Sequence, residues 1–115
     1  MTATLRPTST MSPDDHRILD LFAARVRALA PSAAIWAFGS RARGSAHPES
    51  DFDLCLVLPE VTRELRDGIY AVAWEIGFDE GHVLAPIILS EEDFERAPMS
   101  ASTLVANIHR EGIAA

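Results

Sequence analysis

Residues 39–54, with the sequence GSRARGSAHPESDFDL, constrain this chain more than any other segment. They begin just after one apolar run of strand-like composition, residues 33–38, and end inside a second, residues 52–58. A Gly-Ser pair therefore ends the first predicted strand, and Asp51 and Asp53 open the second. Because side chains alternate faces along a strand, the two carboxylates point the same way and repel each other. A hard divalent cation with oxygen ligands is the simplest partner for such a pair.

The turn before the acid pair has the features of an anion-binding site. Gly39 allows the backbone to turn sharply and to approach a ligand closely. If a helix starts at Ser40 or Arg41, its free N–H groups and the Ser40 hydroxyl would hold a phosphate. Arg41 and Arg43 are consistent either with a solvated surface position or with a contact to phosphate or a partner protein. A phosphate site beside a metal-binding acid pair is what a nucleoside triphosphate with magnesium requires.

The spacing of these residues resembles a known signature. Gly39-Ser40, ten intervening residues and then Asp51-x-Asp53 are similar to the motif of the DNA polymerase beta-like nucleotidyltransferase superfamily. The resemblance extends from about Met11 onward and is strongest to the minimal nucleotidyltransferase branch. That branch includes small antitoxin-type proteins paired with a helical HEPN-domain toxin, and its core is similar to that of the aminoglycoside nucleotidyltransferases.

The resemblance implies ATP and Mg²⁺ as substrate and cofactor, and it assigns the site residues. The nucleotide-binding residues that it implies are Gly39, Ser40, Arg41 and Arg43. The metal ligands, which are also the catalytic residues, are Asp51 and Asp53. The implied reaction is transfer of a nucleoside monophosphate, AMP from ATP, to a hydroxyl of a protein acceptor.

The third predicted strand departs from the family pattern. Catalytic members have a third carboxylate on this strand, but residues 83–89 read VLAPIIL and include no acid. Asp79, Glu80 and His82 precede the strand and are expected to be turn residues. The sequence thus leaves open a working transferase and a nucleotide-binding subunit without catalysis.

Helical periodicity surrounds these strands. Ser12 is the expected cap of a helix over residues 13–30, and Thr62 caps a second helix that Gly77 is expected to end, with a turn over residues 78–82. A short turn over residues 91–94 and a last helix over residues 100–111 complete the pattern. The predicted fold class is α/β (α+β), a short mixed sheet of at least three strands covered by helices on one side.

Three single residues give further expectations. Tyr70 and Trp74, four residues apart, are expected to be packing aromatics of the second helix. Pro86 requires that the third strand have a free edge.

Composition limits the class of protein. With 115 residues, 48% of them apolar, the chain is expected to form one domain over residues 12–115 after a flexible leader, residues 1–11. The formal net charge of −7 argues against general nucleic-acid binding. The sequence shows neither a membrane-spanning run nor a signal peptide, so the cytoplasm is the expected location. The single cysteine, Cys55, is expected to be buried in a strand.

No segment outside this core is evident that would select an acceptor. The missing wall of the cleft is therefore expected to come from a helical HEPN-type partner or from a second copy of the chain. Two alternatives to the transferase stay open. One is a nucleotide-binding antitoxin or regulatory subunit that lacks the third carboxylate, and the other is an aminoglycoside-type transferase acting on a small molecule.

Overall fold

A computed structural model of the chain describes residues 11–96 and 102–115. In chain order its helices and strands are α1 (Pro13–Leu29), β1 (Ala34–Phe38), α2 (Gly39–Arg43), β2 (Phe52–Leu58), α3 (Arg63–Glu80), β3 (Leu84–Ser90), α4 (Glu91–Glu95), α5 (Thr103–Glu111) and β4 (Ile113–Ala114). Helices and strands alternate along the chain as far as α4, which α5 follows. The predicted α+β fold with a mixed sheet is confirmed. No helix in these two ranges is long and apolar enough to cross a membrane.

The four strands form one sheet in the order β3-β2-β1-β4. β1 pairs antiparallel with both β2 and β4, whereas β2 and β3 are parallel. Pro86 lies on β3, which is an edge strand among the described strands, so the predicted free edge is confirmed. The two-residue strand β4 was not predicted, because a pair of residues is too short for an alternating pattern to show.

Helices pack on both faces of the sheet, so the prediction that helices cover one face was wrong. One face packs against α1 and α3, and its core includes Leu54, Leu56, Ile18, Phe22 and Ile69. The other face packs against α4 and α5, and its core includes Cys55, Val57, Leu89 and Ile108. The physical reason lies in β2, where nearly every side chain is apolar and buried, so that neither face can be left in water.

The predicted capping residues act as expected. Ser12 accepts a hydrogen bond from the Asp15 N–H (3.1 Å) at the start of α1, and Thr62 does the same for α3. Ser90 caps α4. The helix predicted from residue 100 begins at Thr103 with Ser102 as its cap, while residues 100 and 101 lie outside the described residues. Of the predicted leader, only Met11 is described, and it is buried against the core.

Helix α3 runs past the glycine that was expected to end it. Gly77 is inside the helix, and the last helical residue is Glu80. Gly81 provides the left-handed backbone conformation that ends the helix, with φ at +74°. Gly77 is instead required by close packing, since a β-carbon there would stand 2.5 Å from the carbonyl oxygen of His82. The predicted end and the predicted turn over residues 78–82 were therefore wrong.

The aromatic residues of α3 point outward, which corrects the packing role expected for Tyr70 and Trp74. Their side chains are 44% and 69% exposed, because smaller apolar residues fill the buried face of the helix. Trp74 stacks instead on Phe78, which is 74% exposed, with ring centroids 5.4 Å apart. Two stacked aromatic rings therefore remain exposed on α3.

Candidate functional site

The two acids of the motif lie at the start of β2. Asp51 precedes the strand and is exposed, whereas Asp53 is its second residue and is half-buried. In the antiparallel register Asp53 pairs with Phe38, the last residue of β1. The residue after Phe38 therefore lies against the Asp53 side chain, and that residue is Gly39.

The contact between residue 39 and Asp53 explains why residue 39 is a glycine. A β-carbon at residue 39 would stand 2.4 Å from Asp53 Oδ2 and 3.3 Å from its Cγ. The backbone of Gly39 also has φ at +75°, which other residues rarely adopt. The turn and the acid thus form one unit, in which the carboxylate reaches the backbone of the turn.

Burial and a like charge both oppose the ionised form of Asp53. Burial raises the pKa of its carboxyl group above the ordinary 3.8, and the neighbouring Asp51 carboxylate raises that pKa further. Arg43 acts in the opposite direction and lowers it. A cation between the two carboxylates would relieve the repulsion, so the pair has the charge and the oxygen donors that fit Mg²⁺.

Helix α2 begins at Gly39, one residue earlier than the earliest expected start. Phe38 occupies the capping position and has no polar group to bind the first N–H groups of the helix. Ser40 is the next residue and is half-buried. Gly44, with φ at +74°, ends the helix after a single turn.

A carboxylate from the far end of the chain reaches this turn. Glu111 Oε1 accepts a hydrogen bond from the Gly39 N–H (3.3 Å) and another from Arg43 Nη1 (3.0 Å). Glu111 was not found from the sequence, because it lies far from the motif and its only signal is its position beside Gly112 at the end of α5. Arg43 itself remains about half exposed at the edge of the site.

Arg41 has a different environment from Arg43. Its guanidinium is buried and forms a salt bridge with Asp15 (3.2 Å). It also donates to the carbonyl oxygens of Pro48 (3.2 Å) and Ser50 (2.9 Å) and to His82 Nδ1 (3.2 Å). Since arginine can only donate, this His82 nitrogen acts as the acceptor. Arg41 therefore fixes the loop that leads directly to Asp51.

The family follows from the sequence match to this region. Residues 19–114 match the sequence model of the family described as "Nucleotidyltransferase domain". The chain belongs to the nucleotidyltransferase domain family. The match includes the turn at Gly39, both aspartates and Glu111, and the family predicted from the motif is confirmed.

Two solved structures share the fold of this nucleotidyltransferase domain. One is described as a toxin-antitoxin with AMP-PNP; it has a TM-score of 0.54 and 18% sequence identity, over 88% of this chain and 71% of its own. The other is a mutant of the toxin-antitoxin MntA-HpeT, with a TM-score of 0.52 and 16% identity, over 87% of this chain and 70% of its own. At these identities the likeness shows the fold alone. No curated protein matches the sequence.

The strand that has the third acid in catalytic nucleotidyltransferases has none here. The parallel register places Ala85 beside Asp53, and residues in register on neighbouring strands share a face of the sheet. Asp79 is exposed in the last turn of α3, and Glu80 forms an ion pair with Arg17 (2.6 Å). His82 contacts Arg41, as described above. None of these three residues adds a carboxylate beside Asp53.

A second group of possible metal ligands lies apart from the nucleotidyltransferase motif. Ligand atoms of Asp14, Asp15 and His82 lie within 4.8 Å of one another. However, Asp14 pairs with Arg17 (2.9 Å) and Asp15 with Arg41. These arginines already supply the positive charge, so the cluster is a salt-bridge network between α1 and its neighbours.

Proposed function

We propose that this chain is a magnesium-dependent nucleotidyltransferase of the minimal branch, which transfers AMP from ATP to a hydroxyl of a protein acceptor. The observation on which the proposal depends is the contact of Asp53 with Gly39, beside a second carboxylate. In this reaction the acceptor hydroxyl attacks the α-phosphorus of ATP, and pyrophosphate leaves. The acceptor oxygen gains the AMP group and loses its proton to water.

The residues of the site divide between phosphate and metal. The Gly39 N–H and Ser40 would bind a phosphate group, and Asp51 and Asp53 would hold Mg²⁺. The ion, when bound, neutralises charge on the phosphates and aligns them. Arg43 is exposed beside Asp53 and is the arginine that we assign to the nucleotide. We assign Arg41 to positioning, because its donors bind the loop before Asp51.

A protein acceptor is supported by the surface next to the site. Trp74, Phe78 and Val83 are each more than 60% exposed and line one groove together with the loop of residues 48–50. That loop leads into Asp51, so the groove is connected to the acid pair through one short segment of chain. Both similar solved structures are toxin-antitoxin proteins, which supports a toxin as the protein partner. The resemblance to the minimal branch implies that this toxin is a helical, HEPN-type protein. A second copy of the chain in the groove is the other occupant to be tested.

One observation favours a second candidate function. Ala85 occupies the strand position beside Asp53, where the family resemblance implies a carboxylate that helps to take the proton from the acceptor. A domain with this replacement would still bind nucleotide and magnesium through Asp51 and Asp53. It would then act as a nucleotide-binding antitoxin or regulatory subunit, without transfer.

The test is a labelling experiment with α-labelled ATP and Mg²⁺, run with and without the protein encoded next to this chain in the genome. Nucleotide binding is followed in parallel by calorimetry. The variants are Asp51→Asn with Asp53→Asn, and the matched control is Glu64→Gln with Asp67→Asn on the exposed side of α3, which removes the same charge.

Each result separates the two functions. The transferase would be supported if the partner becomes labelled by the original chain and by the control variant but not by the site variant. Magnesium-dependent binding without label would support the regulatory subunit. Magnesium-dependent binding retained by the double site variant would contradict the assignment of the site itself.

A further inference from the structure

The carboxylate of Glu111 occupies the donors that we assign to a phosphate. A single oxygen, Oε1, accepts from both the Gly39 N–H and the Arg43 guanidinium. The Glu111 side chain is 17% exposed, so it lies mostly enclosed at the turn and does not extend into solvent. A backbone N–H and an arginine are also donor types that suit phosphate oxygens.

We propose that Glu111 determines the affinity of the nucleotide site, because its carboxylate takes the place of a phosphate oxygen and has to leave before a triphosphate binds. The inference rests on the proposed function, since it presumes that a nucleotide phosphate binds at Gly39. Carboxylate and phosphate oxygens are both anionic acceptors, so they compete for the same donors. They also repel each other, so they do not share the turn without a cation.

The backbone on either side of Glu111 is fixed. Glu111 ends α5, and the next residues form β4, where Ile113 pairs with Ala37 of β1. Gly112 has little free space, since a β-carbon there would stand 2.5 Å from the Ile108 carbonyl oxygen. The carboxylate is therefore released by rotation of the Glu111 side chain, with α5 and β4 staying in place.

The ion pair between Glu111 and Arg43 is weak enough for a bound triphosphate to displace the Glu111 carboxylate. Arg43 is 52% exposed, and exposed ion pairs contribute little because water screens them. When a competing conformation is populated, the apparent affinity falls by the fraction of protein that is competent to bind. Removing the carboxylate is expected to tighten nucleotide binding about three- to tenfold.

The experiment measures binding of ATP with Mg²⁺, and of tripolyphosphate with Mg²⁺, by calorimetry at constant ionic strength. The variants are Glu111→Gln, which keeps the shape of the side chain, and Glu111→Ala, which removes it. Glu64→Gln is the control, because it removes the same charge from an exposed position on α3. Thermal unfolding of each variant verifies that it is folded.

The expected result is that both Glu111 variants bind both ligands about three- to tenfold more tightly, while Glu64→Gln binds as the original chain does. Tripolyphosphate is informative because it has no base, so its response assigns the effect to the phosphate position. If the original chain binds ATP and the Glu111 variants bind it equally or more weakly, the inference is wrong and the proposed function stands. If neither the original chain nor any variant binds, both are wrong.

Discussion

The carboxylate of Asp53 lies so close to Gly39 that the two residues leave no room for a β-carbon between them. Such an atom on residue 39 would stand 2.4 Å from Oδ2, less than any ordinary contact. The antiparallel pairing of Phe38 with Asp53 brings the two residues together. The glycine of the motif is therefore explained by Asp53, the second acid of the motif, as much as by the turn.

The first prediction concerns that contact. Gly39→Ala is expected to displace the Asp53 side chain and to weaken magnesium-dependent ATP binding by at least about tenfold, because misplacing a ligand by about 1 Å is costly. Gly81→Ala is a matched control. Its backbone has nearly the same φ (+74° against +75°), but no atom lies within 4 Å of the added carbon. Both variants should lose roughly 1 kcal/mol from backbone strain, so equal ATP affinity in the two would contradict the role of the contact.

The second prediction concerns Asp53 and pH. Because the pKa of its carboxyl group is raised in the folded chain, the folded state holds this proton more tightly than the unfolded state does. Stability is thus lost as the pH rises from the ordinary pKa of 3.8 through the raised value, and the loss is complete above it. Asp53→Asn is expected to melt at a higher temperature than the original chain at pH 7, with the difference shrinking below about pH 4.

Magnesium provides an independent check on Asp53. The ion should raise the melting temperature of the original chain and have less effect on Asp53→Asn, since it binds the folded state through this carboxylate. Asp67→Asn, on the exposed side of α3, is the control and should respond to magnesium as the original chain does. If Asp53→Asn were less stable than the original chain at pH 7, the Asp53 carboxylate would have a stabilising partner in the folded chain.

The third prediction concerns the buried pair of Arg41 and Asp15. Their side chains are only 6% and 8% exposed, and removing one member leaves the other charged and enclosed. Arg41→Met is expected to reduce the free energy of unfolding by about 3–5 kcal/mol, as measured by urea denaturation. Adding Asp15→Asn should restore part of this loss, because the unpaired charge is then gone.

An exposed ion pair offers the comparison for Arg41. Arg96 and Glu92 are 76% and 73% exposed, so Arg96→Met should change the free energy of unfolding by less than roughly 1 kcal/mol. If Arg41→Met were equally mild, water would have to reach Asp15 in the folded chain.

The sequence predicted the features that depend on neighbouring residues. The caps Ser12 and Thr62 and the strand β2 were found because a cap or a short apolar run is complete within a few residues. Gly77 misled the prediction because two glycines lie four residues apart, and only tertiary packing decides which of them ends the helix. The backbone at His82 fills the space beside Gly77, whereas no atom lies within 4 Å of a β-carbon placed at Gly81.

Features that depend on distant residues could not be predicted. Arg41 and Arg43 look alike in the motif, but a partner on α1, Asp15, draws one of them into the interior. Glu111 reaches Gly39 only because β4 pairs with β1 and fixes the end of α5. Neither relationship leaves a pattern in the local sequence.

The last prediction concerns the aromatic surface of α3. Trp74 and Phe78 stack on each other but remain 69% and 74% exposed, so they contribute little to the core. Replacing both by Gln is expected to change the free energy of unfolding by no more than about 1 kcal/mol. Ile76→Ala, on the buried side of the same helix and 2% exposed, should cost about 2–5 kcal/mol.

The same pair of substitutions tests the acceptor surface, because ATP binding and partner binding should separate. Trp74→Gln with Phe78→Gln is expected to keep magnesium-dependent ATP affinity, since neither side chain belongs to the site at Gly39. Association with the neighbouring gene's protein, measured by calorimetry, should weaken by at least about tenfold, because aromatic anchors dominate interface energies. Unchanged association, with Ile76→Ala behaving as expected, would show that the partner binds elsewhere and that the aromatic groove has another occupant.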